Sequence, residues 1–127
     1  MTNTPPLAEL WQMLRFGLIG LAASMTHILA AALMIMVFPA LHEFIVNALA
    51  YSVAFGISLA GHQRVTFRRS ASLWRFTVMS LAGFSINNLV LAGALGGGVT
   101  GLWAIATAVV VAAVASYVLA RCWVFTQ

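Results

Sequence analysis

Residues 14–37 read LRFGLIGLAASMTHILAAALMIMV, and behind Arg15 this stretch holds no formally charged side chain. As a helix, residues 16–37 would extend about 33 Å, enough to cross the hydrocarbon core of a bilayer. The run shows no period-2 alternation, so its backbone groups are satisfied within a helix and not in the ladder of a barrel strand. It is also too long for the apolar region of a cleaved secretory signal, and a single arginine precedes it, so it reads as a transmembrane helix.

Working outward, the chain holds three more runs of this kind, giving predicted spans over 15–37, 44–62, 76–95 and 102–121. Across the 127 residues 63% are hydrophobic and 6% charged, and the mean hydropathy is +1.04. That balance excludes an ordinary water-soluble domain. The expected architecture is all-α: a single four-span integral membrane domain over 1–127. The segment 1–14 carries Pro5-Pro6 and then Leu7, Leu10, Trp11 and Leu14 at helical spacing, and it is expected to lie along the membrane surface.

The opening stretch recurs. Trp74-Arg75-Phe76 stands 60 residues after Leu14-Arg15-Phe16, and Cys122-Trp123-Val124-Phe125 stands 58 after Arg64-Val65-Thr66-Phe67. The chain thus divides into repeat one, 15–67, and repeat two, 75–125, each two spans long. All six basic residues are arginines, namely Arg15, Arg64, Arg68, Arg69, Arg75 and Arg121. The other two connections, Pro39 to Glu43 and Gly96 to Gly101, have no Lys or Arg. The positive-inside rule therefore puts both termini and the central connection in the cytoplasm. Each repeat starts and ends on the same side, so the two helix pairs are parallel, unlike the inverted halves of many secondary transporters.

Aligned on their arginines, the repeats pair His27 with Asn87, each twelve residues further on. Twelve residues is about 18 Å of helix, which puts both side chains near the bilayer centre. Polar groups at that depth face the protein interior or a wet path, where they either bind something or hydrogen-bond across helices to hold the bundle. Asn88 is expected to point about 100° away from Asn87, on another face of the helix. Aligned on their ends, the repeats match Ala50, Ala54 and Ser58 with Ala108, Ala112 and Ser116. These four-residue steps of small side chains read as helix-packing faces, with Gly93 and Gly97 extending such a face on the third helix. Aromatic residues near the predicted span ends, Trp11, Trp74, Trp103 and Trp123 among them, read as interfacial anchors.

Catalytic chemistry finds no foothold. The two acids, Glu9 and Glu43, lie outside the predicted spans, and no nucleophile stands with a base. His27, His42 and His62 fall at three depths, so no metal site and no cofactor is expected. Cys122, the single cysteine, cannot form an internal disulfide. Small four-helix multidrug exporters match the size, but they use an intramembrane carboxylate that is lacking here. The formal charge of +4 sits beside spans and not over a water-facing surface, which argues against nucleic acid as a partner. The arginines serve as topology determinants that touch anionic lipid, or they hold a phosphate through paired hydrogen bonds.

Arg15-Phe16 with Gly20 and His27, then Asn47, then His62-Gln63-Arg64-Val65-Thr66-Phe67, then Arg75-Phe76 with Asn87, and finally Arg121-Cys122-Trp123-Val124-Phe125 together resemble the GtrA-like family of four-helix membrane proteins. That domain also occurs as the membrane part of some polyprenol-phosphate sugar synthases. The family often ends a repeat with Asn-Arg-x-Trp-x-Phe; here His62, Gln63 and Val65 replace the Asn, Arg and Trp in the first copy, and Ala120 replaces the Asn in the second.

The resemblance implies a bacterial inner-membrane protein of cell-envelope polysaccharide or O-antigen assembly that moves an undecaprenyl-phosphate-linked sugar across the bilayer beside a membrane glycosyltransferase. On that reading Arg64, Arg68, Arg75 and Arg121 receive the phosphate. His27, Asn87 and Asn47 offer hydrogen bonds partway across, and four short helices form a homodimer or a larger assembly. The competing expectation is a non-transporting anchor or assembly partner of the glycosyltransferase, with a lipid-binding structural protein as a third.

Overall fold

A computed structural model describes residues 6–61, 64 and 73–123. Among these residues every regular element is a helix: α1 Pro6–Val37, α2 Glu43–Gly61, α3 Leu73–Gly96 and α4 Gly101–Trp123. Each contains one stretch long and apolar enough to cross a membrane, 13–37, 43–61, 76–96 and 101–118. α1 begins at Pro6, a residue whose fixed φ and missing N–H suit the first helical turn, and it runs unbroken for 32 residues. From Pro6 onward, the segment expected along the membrane surface is helical and continuous with the stretch 13–37 that is apolar enough to span.

Local chemistry sets the two short connections. Phe38 N still bonds Met34 O, but Pro39 cannot continue the helix. His42 then caps α2: its carbonyl accepts from Ile45 N and Val46 N, and its ring Nδ1 accepts from Phe44 N at 3.3 Å, quieting N–H groups that have no partner within the helix. At the other connection Val99 N bonds Ala94 O and Gly98 N bonds Leu95 O, the paired bonds of a Schellman ending. Gly98 has φ +86° there, a conformation that costs glycine little.

The two connections are joined. Glu43, the first residue of α2, accepts a hydrogen bond from the backbone N of Gly101, the first residue of α4, at 3.2 Å. One carboxylate thus serves the positive ends of two helix dipoles. The bond also fixes direction, since α2 and α4 start at the same end of the bundle and run the same way, with α1 and α3 antiparallel to them.

α1 packs along α2 and α3 along α4, and α1 also lies against α4, whereas α2 and α3 come close at few points. The buried core comprises Ala31, Val46, Ala50, Leu91, Ala104, Ile105, Ala108 and Val109, half of them alanine. Leu18, Leu21, Leu29 and Leu33 of α1 are exposed, as suits a chain whose solvent is lipid and whose helices are held by close packing of small residues. Ala54 and Ala112 are also buried, and Ser58 and Ser116 are half-buried. The approach is tight at two glycines: a Cβ on Gly61 would lie 2.9 Å from Ile19 Cγ2, and one on Gly83 would lie 3.2 Å from Ser116 Oγ. Gly93 and Gly97 do not extend this packing. Both are exposed; a Cβ on Gly93 would meet nothing within 4 Å, and one on Gly97 only the carbonyls of its own helix.

Candidate functional site: a buried histidine and asparagine cluster

Three polar residues are buried among the described residues, and they come from three helices: His27 of α1 at 4% exposure, Asn47 of α2 at 0% and Asn87 of α3 at 3%. Local sequence places each on an inward face. In α1 and α3 the next buried residues, Ala31 and Leu91, follow four positions after His27 and Asn87, one helical turn along. In α2, Asn47 sits in the buried series Val46, Asn47, Ala50 and Ala54.

The three side chains form one hydrogen-bonded chain. His27 Nε2 lies 2.9 Å from Asn47 Oδ1; an amide oxygen can only accept, so this nitrogen carries a hydrogen, and in the neutral ring Nδ1 is then an acceptor. Asn47 Nδ2 donates to Asn87 Oδ1 at 2.6 Å, and the same NH2 group reaches Asn88 Oδ1 at 3.4 Å. Asn88 in turn donates to Phe84 O in its own helix. The chain thus has a direction: an acceptor at the His27 end and, at the other, the NH2 of Asn87, which makes no hydrogen bond with a described residue. Each end has one kind of hydrogen bond to offer a polar group, His27 accepting and Asn87 donating. Asn87 and Asn88 do not turn wholly apart as expected, because the two hydrogens of one amide serve both.

Aromatic rings continue from the cluster along α2 and α3. Tyr51, one turn beyond Asn47, presents its ring edgewise to His27 with centroids 6.0 Å apart and lies 4.4 Å from the Phe84 ring. Its hydroxyl donates to Ser80 O at 2.6 Å. A turn further on, Phe55 pairs with Phe76 at 5.7 Å. Tyr51, Phe55 and Phe84 escaped the sequence reading, although a signal was there: 47, 51 and 55 on one helix, and 76, 80, 84 and 88 on the other, advance in steps of four.

The cluster thus gathers His27, Asn47 and Asn87, all singled out from the sequence. The arginines are not part of it. Arg15 and Arg64 are exposed, at the end of the bundle toward which the aromatic ladder runs. Arg68 lies outside the described residues, as do the side chains of Arg75 and Arg121, whose backbones belong to α3 and α4. No group of three or more His, Cys, Asp or Glu side chains suited to a metal ion occurs among the described residues.

In comparisons with known proteins, the sequence pattern of the GtrA/DPMS transmembrane domain matches residues 15–125. No curated protein matches the chain, and no solved structure does.

Proposed function

The chain belongs to the GtrA/DPMS transmembrane-domain family, and from that membership we propose that it moves a polyprenyl-phosphate-linked sugar across the bacterial inner membrane for cell-envelope polysaccharide or O-antigen synthesis. Membership ties it to polyprenol-phosphate sugar metabolism or translocation. The observation that favours translocation is the hydrogen-bonded His27–Asn47–Asn87 chain inside the bundle. A sugar headgroup must exchange its hydroxyl–water bonds for others as it crosses, and an intramembrane donor and acceptor pair provides them.

On this reading both termini are cytoplasmic and the two helix pairs are parallel repeats. Arg64, Arg68, Arg75 and Arg121 gather the phosphate at the cytoplasmic face through charge-assisted hydrogen bonds. The prenyl tail stays in lipid, so only the headgroup needs a polar path. The protein makes no covalent change to its cargo and needs no cofactor. It works as a homodimer or larger assembly beside the membrane glycosyltransferase that produces or consumes the lipid.

Pure protein reconstituted in vesicles is expected to speed the passage of a polyprenyl-phosphate hexose between leaflets, measured by protection of the headgroup from an external enzyme. Passage no faster than in protein-free vesicles would sink the proposal for the protein acting alone.

One observation favours the anchoring role. The cluster largely satisfies its own hydrogen bonds across three helices, as a purely structural network does. His27→Leu and Asn87→Leu separate the two: lost translocation in a protein that still assembles supports transport, while lost assembly alone supports the anchor.

A further inference from the structure

The four helices meet unequally. α1–α2, α3–α4 and α1–α4 are close contacts, while α2 and α3 touch at few points. What spans the wider gap is a set of long side chains: Asn47 to Asn87 and Asn88, Tyr51 to Ser80 O and to the Phe84 ring, and Phe55 to Phe76. Tyr51, Phe55, Phe76 and Phe84 are half-buried, and none belongs to the buried core.

We infer that the α2–α3 seam is the lateral doorway through which a lipid headgroup bearing phosphate and hydroxyls reaches the His27–Asn47–Asn87 cluster, with the Tyr51–Ser80 hydrogen bond as its latch. This rests on the translocation reading above. Parting α1 from α4 means separating closely packed backbones, whose dispersion contacts are lost together. Parting α2 from α3 breaks a few hydrogen bonds and ring contacts, each individually weak in a membrane.

The groups freed by that parting are the ones a headgroup needs. Asn47 NH2 loses Asn87 Oδ1 and Tyr51 OH loses Ser80 O, so donors and acceptors face the gap together. A headgroup that hydrogen-bonds them offsets the broken bonds, which makes opening favourable when cargo is present and costly when it is not. The ladder of rings gives the path its direction. It runs from the cluster toward the end that carries Arg15 and Arg64, where a phosphate is first met, and its faces suit the apolar face of a sugar ring.

The test uses the full chain in vesicles with Cys122→Ser as background. Phe55→Cys with Phe76→Cys, joined by a short bifunctional thiol reagent, locks the seam; Gly83→Cys with Ser116→Cys locks α3 to α4 instead. The seam lock is expected to lower polyprenyl-phosphate hexose passage at least tenfold relative to the same unjoined double variant, and the other lock to change it less than twofold. A second arm measures the seam without transport. Tyr51→Phe is expected to raise the rate at which a membrane-permeant maleimide labels Ser80→Cys three- to tenfold, while labelling of Ala31→Cys in the core stays constant.

Undiminished passage through a locked seam, or equal gains at both labelled sites, overturns the doorway. The two readings fail separately: no passage by the unlocked protein strikes translocation, and the doorway is then decided by the labelling arm.

Discussion

The α1–α4 and α2–α3 seams hold the same bundle together by different means. On the first, helices lie close and the core around them is built of small residues such as Ala31, Ala104 and Ala108. On the second, amides, a phenol and phenyl rings reach across a wider space. The difference teaches that in lipid, where burying a methyl group between helices gains little over leaving it among acyl chains, small residues create proximity and polar residues create specific connection. The first seam is sensitive to added volume and the second to lost hydrogen bonds.

That contrast can be broken from either side. The largest effect is expected from Ala108→Leu, which forces a branched side chain into a fully buried site and should cost about 3 kcal/mol of bundle stability, measured by unfolding in mixed micelles. Asn47→Leu follows. It strands the His27 N–H and the Asn87 oxygen together and should cost about 2 kcal/mol; if it costs no more than Tyr51→Phe, the network is not what joins α1, α2 and α3. Glu43→Ala removes the carboxylate shared by the starts of α2 and α4 and should cost about 1 kcal/mol, with Glu43→Gln recovering part of it because an amide oxygen still accepts. The smallest loss, about 0.6 kcal/mol, is expected for Tyr51→Phe, which keeps the ring contacts and deletes one hydrogen bond.

Much of the fold was legible because a membrane span announces itself by length and apolarity, and each of the four runs became a helix. The N-terminal segment was harder. Its apolar residues at helical spacing read as a surface segment, and from Pro6, where proline starts a helix well, it is helical and continuous with α1. In the site, His27 and Asn87 were visible as polar residues at equal distances from two arginines. Asn47 carried no such spacing and entered only through the family resemblance, although it is the residue that touches both others. Tyr51, Phe55 and Phe84 were missed because aromatic residues were sought at the span ends, where amphipathic rings anchor, and not along the inner faces of α2 and α3. Asn88 was set aside on helical angle alone, which ignores that one NH2 group has two hydrogens to give.

The hydrogen bond from Gly101 to Glu43 has a mechanical consequence. It fastens α2 at its first residue, leaving the remainder as a lever whose far tip is the Gly61 end. With 19 residues the arm is about 28 Å long, so a tilt of about 10° about the fastened point would carry the tip about 5 Å. A displacement too small to register at the pivot is thus magnified at the opposite rim, where Tyr51 and Phe55 part from α3 before Asn47 does: the bundle would unzip from the arginine-bearing rim inward, with the Glu43 end as its fulcrum.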